Sequence, residues 1–163
     1  MIVVLILRCE RLSSKPMATR VDWAAETIAA LKREGLRSGG ARHAVIALLG
    51  RQDCCLSAQE IHDRLRAGGS TVGLASVYRS LDLLAERRLV QRIDVGDGVM
   101  RFEPAHASGE HHHHLVCSDC GKVEAFADEQ LERALRAVEE TTGYASAGHD
   151  VLLRGECGDC RGV

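Results

Sequence analysis

Residues 74–103 read LASVYRSLDLLAERRLVQRIDVGDGVMRFE, and this stretch decides the fold of the first half of the chain. At about 100° per residue, the apolar side chains over residues 74–88 form one helical stripe, which contains Leu74, Val77, Leu81 and Leu84. The opposite face carries Ala75, Ser76, Arg79 and Asp82, with Tyr78 at the border. Residues 89–93 and 99–103 then alternate around a Gly/Asp turn, which predicts a β-hairpin. A helix followed by such a hairpin predicts a winged helix-turn-helix with a recognition helix and a wing.

Three further helices are predicted upstream of this stretch. Residues 22–34 and 41–50 have apolar residues at helical spacing. A third helix begins at a capping box formed by Ser57 and Glu60 and ends at Gly68. The inward side chains of these helices are predicted to be Trp23, Ile28, Leu31, Val45, Leu48, Leu49, Ala58, Ile61 and Leu65.

The second half of the chain has a different pattern. Residues 104–110 (PAHASGE) are typical of a hinge linker. Beyond it we predict strands at 114–117, 122–126 and 150–155, a helix at 128–142, and cysteine turns at 117–121 and 157–160. The predicted class is therefore α+β, with a winged-helix DNA-binding domain over 17–103 and a small α/β domain over 111–163.

The start of the chain is set apart from both domains. Residues 1–7 are apolar but too short to span a membrane, and the basic residues follow them rather than precede them as in a signal peptide. We interpret residues 1–16 as a mis-called start, with Met17 as the true first residue, or as a disordered tail.

Composition and charge limit the classes of function that this chain can have. Only 3% of residues are aromatic, which argues against stacking on single-stranded nucleic acid. Residues 17–104 hold 13 basic against 11 acidic residues, whereas residues 105–163 hold 5 against 11, so phosphate contacts are expected only in the first half. The seven cysteines, with eight histidines, indicate metal chemistry in a reducing cytoplasm rather than a disulfide framework.

Two C-x2-C pairs give the strongest chemical signal, and they comprise Cys117, Cys120, Cys157 and Cys160. Two intervening residues let both thiolates of a pair face one ion, and two pairs complete a tetrahedral shell. A closed shell of four thiolates predicts a structural zinc ion. A single pair would equally suit a redox function, but two pairs in one small domain favour zinc.

Four consecutive histidines lead into the first cysteine pair. In an extended strand alternate side chains share a side, so His112 and His114 face one way and His111 and His113 face the other. Each pair is a candidate start of a separate metal site. A purification tag or a solvated basic stretch would be the alternative interpretations of the run.

The segments HHHHLVCSDCGKVEAF, GLASVYRSLDLLAERRLV and the terminal CGDC resemble the ferric uptake regulator family over roughly residues 22–160. The resemblance implies a homodimeric, metal-dependent transcriptional repressor without enzymatic activity that controls metal homeostasis genes. Its winged domain would bind double-stranded DNA at a palindromic AT-rich operator. A metal at the hinge would set the orientation of the two domains. No membrane association is expected.

The resemblance also implies two further metal sites. The regulatory hinge site would use Cys55, Glu103, His112 and His114 and hold zinc, iron(II) or manganese(II). The family usually has a histidine where this chain has Cys55, and a thiolate shifts preference toward zinc and away from manganese. A buried apolar role is the alternative for Cys55. The second site would use His111, His113, Glu132 and His149, although His149 alone is also typical of a strand-end histidine.

For DNA, the resemblance places Tyr78 and Arg79 of the recognition helix in the major groove, beside Ser76. Tyr78 would also suit a half-buried helix position. Arg37 would enter an AT-rich minor groove, and Arg42 would contact phosphate. The residues before Arg42 depart from the family pattern, since Gly39 and Gly40 replace Thr and Pro and predict a looser helix start.

Two alternative functions remain at this stage. A peroxide sensor of the same family would use iron beside oxidisable histidines, usually with an aspartate, but Cys55 and Glu103 disfavour it. A metal-dependent hydrolase would need a general-base motif such as H-E-x-x-H, which the sequence does not contain.

Overall fold

The computed structural model describes residues 18–36, 39–52, 54–105 and 112–162. The predictions for residues 1–16, Arg37, residues 106–110 of the linker and His111 lie outside these ranges. The described residues fall into two compact units, one containing residues 18–105 and the other residues 112–162.

The first unit combines four helices with a small antiparallel sheet. The helices are α1 (Ala18–Arg33), α2 (Gly40–Leu49), α3 (Ala58–Ala67) and α4 (Leu74–Glu86). The strands are β1 (Leu56–Ser57), β2 (Val90–Asp94) and β3 (Met100–Pro104), in the order β1-β3-β2. α3, α4 and the β2–β3 hairpin form the predicted winged helix-turn-helix.

The core of this unit lies where the helices and the sheet meet. Its buried members are Trp23, Leu31, Val45, Ile46, Leu49, Leu56, Ala58, Ile61, Leu65, Val77, Leu81, Leu84, Val90 and Phe102. The predicted inward residues Ile28, Leu48 and Leu74 pack against it while remaining partly exposed. The apolar stripe of α4 therefore faces the core, which leaves the opposite face of the helix for solvent or a ligand.

The helix starts follow the local chemistry of their caps. At α3 the capping box is formed, because the Glu60 amide donates to Ser57 Oγ and Glu60 Oε2 accepts from the Ser57 amide at 2.8 Å. α2 has Gly39 as its N-cap and no side-chain capping bond, in agreement with the looser start expected from the glycine pair.

Several predicted boundaries were wrong. α1 begins at Ala18 rather than at residue 22, and α4 ends at Glu86 rather than 88. Pro104, predicted to open the linker, is the last residue of β3 and pairs with Val90. Strand β1 was missed because its two residues are too few to show an alternating pattern, although they add a third strand beside the wing.

The second unit is a three-stranded sheet with one long helix. Its elements are β4 (His113–Cys117), β5 (Val123–Phe126), α5 (Glu129–Thr142), β6 (Leu152–Gly155) and α6 (Gly158–Arg161). β4 lies in the centre, antiparallel to β5 and parallel to β6. The last cysteine pair was predicted to form a turn, and it lies instead on the short helix α6 and its N-cap, Cys157.

The long helix α5 begins and ends at strong signals. Asp128 Oδ1 accepts from the amides of Gln130 and Leu131, and Gly143 ends the helix in the left-handed conformation at φ 71°. Every residue of α5 is described and none is buried, and Val138 on it is 58% exposed. Among the described residues, no helix combines the length and apolarity needed to cross a membrane.

Candidate metal centres and nucleic-acid interface

The four cysteines of the two C-x2-C pairs come together at one end of the second unit. Cys117 ends β4, Cys120 closes the following turn, and the chain returns through β6 to Cys157 and Cys160. All four sulfurs lie within 4.8 Å of one another. The parallel register of Cys117 with Gly155, and the bond from the Ser118 amide to the Gly155 carbonyl at 2.8 Å, bring the second pair beside the first.

The electrostatics of this four-cysteine cluster suit a divalent cation. The pKa of Cys117 is lowered from 9.0 to about 6 because the backbone amides of Cys120 and Cys157 donate toward its sulfur. The pKa of Cys160 is raised because its thiol is hydrogen-bonded among the other three sulfurs. Ionising all four thiols therefore requires a compensating cation, and four sulfurs at this spacing fit structural zinc.

A second group of possible metal ligands forms around His113, at the start of β4. The Nε2 atom of His113 lies 2.7 Å from Glu132 Oε1, and Nε2 of His149 lies 3.2 Å from Glu132 Oε2. The two imidazole centroids are 5.4 Å apart, and the Phe126 ring lies against His113 at the same centroid distance. This histidine–glutamate cluster contains three of the four residues predicted for the second metal site. Two imidazoles around a shared carboxylate provide the nitrogen and oxygen donors that transition metals take.

Two of the four residues predicted for the hinge site belong to the first unit, and the other two belong to the second unit. In the first unit, Cys55 and Glu103 are 3% and 1% exposed. Burial raises the pKa of Cys55 from 9.0 to about 12, and the negative charge of Glu103 adds to the shift. In the second unit, the rings of His112 and His114 lie 5.0 Å apart, which agrees with alternate residues facing one side. Glu103 also accepts a hydrogen bond from Gln91 Nε2, a partner that the sequence did not indicate.

The face of α4 opposite the core carries the predicted DNA contacts. Tyr78 is 49% exposed while its neighbour Val77 is fully buried, so the two sides of the helix are clearly separated. Arg79 is exposed, and its Nη2 donates to Ser76 Oγ at 2.8 Å. Arg42 lies on the first turn of α2 and is partly exposed.

An ion pair that the sequence did not reveal joins α4 to the wing. Arg92 Nη2 on β2 lies 3.0 Å from Asp82 Oδ1 on the outer face of α4. These residues are ten positions apart, and no charge pattern in the sequence indicates that they pair. Only the folded hairpin brings them together. The pair places the Arg92 guanidinium at the outer face of α4.

Known proteins resemble this chain over most of its length. The model of the ferric uptake regulator family matches residues 33–154. The zinc uptake regulation protein of Mycobacterium tuberculosis is 39% identical over 129 residues, which cover 78% of this chain and 96% of that protein. The ferric uptake regulation protein of Bacillus subtilis is 34% identical over 119 residues, which cover 72% of this chain and 80% of that protein.

Solved structures are also similar to this chain over most of its length. The Vibrio cholerae ferric uptake regulator has a TM-score of 0.71 at 32% identity, covering 80% of this chain and 98% of its own. The Helicobacter pylori ferric uptake regulator, which has three functional metal binding sites, has a TM-score of 0.76 at 27% identity, covering 90% and 97%. The agreement extends to both units of the α+β architecture.

Proposed function

Because this chain belongs to the ferric uptake regulator family, we propose that it is a homodimeric repressor that binds a palindromic operator when it holds its regulatory metal. The first unit supplies the DNA contacts, with Tyr78 and Arg79 reading the major groove and Arg42 contacting phosphate. The exposed tyrosine ring offers contact with thymine methyl groups, and the guanidinium offers paired donors to guanine or phosphate. Arg37 would reach an AT-rich minor groove.

Three metal sites follow from the same proposal. The four-cysteine cluster holds structural zinc, the histidine–glutamate cluster holds a second ion together with His111, and the hinge site holds the regulatory ion. Three functional metal binding sites are also what the Helicobacter pylori relative has. When bound at the hinge, a divalent ion provides a Lewis acid that draws thiolate, carboxylate and imidazole donors together.

The regulatory ion is proposed to be zinc. The observation that carries this choice is the pair of buried neighbours Cys55 and Glu103, since a thiolate donor favours zinc over manganese. The Mycobacterium tuberculosis relative, a zinc uptake regulation protein, supports the same metal. Zinc sufficiency would then mean operator occupancy and repression of metal-homeostasis genes.

The proposed switch is a shift between populations of domain orientations. Cys55 and Glu103 belong to the winged unit, and His112 and His114 belong to the strand that enters the second unit. Joining these four ligands would restrict the orientation of the winged units in the dimer. A restricted spacing of two recognition helices selects a palindrome of matching half-site separation.

The test begins by selecting, from a random DNA library, the palindrome that the zinc-treated protein enriches. A fluorescent duplex that carries this palindrome is then titrated with the protein. Zinc is expected to raise affinity more strongly than iron(II) or manganese(II), and a chelator to reverse the gain. His112→Ala and Cys55→Ser should abolish the zinc response, while Cys54→Ser, which changes the adjacent buried cysteine, should keep it. Equal binding with zinc and with chelator would refute metal-dependent repression.

The competing functions predict different results. The named relatives are regulators, which favours regulation over the hydrolase alternative. The peroxide-sensing alternative would require added oxygen on His112 or His114 after peroxide treatment of the iron-loaded protein. With a thiol and a glutamate as the ligands from the winged unit, we expect mass spectrometry to find neither histidine oxidised.

A further inference from the structure

An exposed guanidinium of the wing lies against the outer face of α4. Arg92 is the central residue of β2, and its Nη2 donates to Asp82 Oδ1 at 3.0 Å. The Arg92 side chain is 51% exposed and the Asp82 side chain is 58% exposed. A guanidinium has several N–H donors, and among the described residues Asp82 alone accepts from that of Arg92. The remaining donors are therefore available to a ligand that approaches α4 from solvent.

Asp82 determines where this guanidinium lies relative to the residues proposed to bind DNA. Ser76, Arg79 and Asp82 follow one another at three-residue spacing, so they are neighbours along one side of α4. Asp82 lies about 4.5 Å further along the helix axis than Arg79. In a helix-turn-helix, the N-terminal part of the recognition helix contacts base edges. Arg92 is therefore held beside the part of α4 that follows the base-reading residues, where phosphates border the groove.

The rest of the hairpin offers no other exposed cation. Residues 90–104 are all described and contain two basic residues, Arg92 and Arg101. Arg101 is only 7% exposed and binds the Asp97 carboxylate, with Nη2 to Oδ2 at 2.7 Å. Asp94 and Asp97 lie around the turn, and their negative charges oppose the approach of a phosphate. Within the hairpin, Arg92 is therefore the residue suited to a phosphate contact.

The ion pair also offsets an unfavourable charge on the outer face of α4. An exposed carboxylate at Asp82 would repel DNA, and the contact with Arg92 balances it. We propose that Arg92 contacts an operator phosphate while Asp82 holds its guanidinium at this face. The inference rests on the proposed function, in which the outer face of α4 binds DNA. Because phosphate contacts position a protein without reading sequence, Arg92 should add affinity for any duplex.

The experiment titrates fluorescent duplexes with the full-length, zinc-loaded protein at several salt concentrations. Each phosphate contact contributes about 0.9 to the slope of log K against log salt concentration. Arg92→Ala should therefore lower this slope by about 1.8 for a homodimer, and the affinity about 30-fold at ~0.15 M salt. The loss should be equal for the selected palindrome and for an unrelated duplex, whereas Arg79→Ala should weaken binding to the palindrome more.

Three further variants separate a phosphate contact from other roles of Arg92, and circular dichroism checks that each is folded. Arg92→Lys keeps the charge and should keep most of the slope. Arg88→Ala removes the same charge beyond the end of α4 and should change neither slope nor affinity. Asp82→Asn combined with Arg92→Ala should keep the lowered slope, since it still lacks the phosphate contact. A wild-type slope in this double variant would show that Arg92 only offsets the charge of Asp82, which overturns the proposal.

Arg79→Ala distinguishes this inference from the proposed function. If Arg79→Ala weakens operator binding while Arg92→Ala leaves the slope unchanged, the proposed function stands and the phosphate contact is refuted. If neither variant changes binding, the outer face of α4 is not the DNA-binding face, and both proposals fail.

Discussion

Loss of one cysteine from the four-cysteine cluster should unfold the second unit while leaving the first unit folded. Cys120→Ser removes one of the four sulfurs that lie within 4.8 Å of one another. Structural zinc in small domains contributes about 10–16 kcal/mol, as much as or more than the whole stability of a typical domain, about 5–15 kcal/mol.

The described part of the second unit has little else to replace that contribution. Its buried apolar side chains are Val116, Cys117, Val123 and Ala125, and α5 contributes none. Full burial of one valine is worth about 1.5–3 kcal/mol, so these side chains supply less than the zinc does. The first unit has its own helical core and no residue of the four-cysteine cluster, and it should therefore survive.

The assay separates the two units within one chain. Trp23 is the only tryptophan, lies buried in the first unit, and donates to the Leu89 carbonyl at 3.1 Å, so its fluorescence reports on that unit alone. Cys120→Ser should lose bound zinc and far-UV ellipticity, yet keep a cooperative fluorescence transition. The control Ser118→Ala changes an exposed residue of the same turn and should retain zinc. Cys120→His should restore zinc, since three thiolates and one imidazole also form structural sites. A zinc-free Cys120→Ser protein with wild-type ellipticity would refute this reasoning.

Two further predictions concern the first unit. Arg79→Ala should weaken operator binding by about 1–3 kcal/mol and relax sequence preference, whereas Arg88→Ala, beyond the end of α4, should change affinity little; duplex titrations at fixed salt measure both. The pKa of Asp97 is lowered from 3.8 to about 2, chiefly by the hydrogen bond from Arg101, so its stabilising effect is present above pH 3.8 and is lost as the pH falls toward 2. Because the Asp97 side chain is 38% exposed, solvent screening limits this effect to less than about 1 kcal/mol. Urea unfolding followed by Trp23 fluorescence should show that Asp97→Asn is less stable than the wild type at pH 5 but not at pH 2. The same difference in stability at both pH values would contradict the assignment.

The parts of the fold that the sequence predicted are those with a local physical signal. The apolar stripe of α4, the Ser57–Glu60 capping box and the Asp/Gly turn each act over a few residues, and all three are present. The four cysteines were equally predictable, because their spacing is itself the geometry of the site. The start of α1 was not predictable in this way, since no capping signal marks residue 18.

The contacts that were missed depend on tertiary structure. Strand β1 has only two residues, and its partner lies more than forty positions away on β3. No periodic pattern in the sequence therefore predicts this strand. Arg101 and Glu103 occupy alternate positions that would face solvent in an isolated hairpin. In the folded unit β1 pairs with β3, and both Arg101 and Glu103 are buried. The hydrogen bond from Gln91 to Glu103 likewise forms only in the folded hairpin.

The strand β4 contributes residues to all three proposed metal sites, and its register decides which residue reaches which site. Its alternation sends His113 toward Glu132 and His149, sends His114 to the side of His112, and ends at Cys117 in the four-cysteine cluster. A slip of one residue would exchange the two histidine faces and move every donor to the wrong site. Zinc at Cys117 holds the last residue of this strand, and the pairing of Cys117 with Gly155 aligns it with β6. Structural zinc would therefore maintain the register on which both proposed histidine sites depend, and its removal is expected to abolish metal binding at all three proposed sites rather than at one.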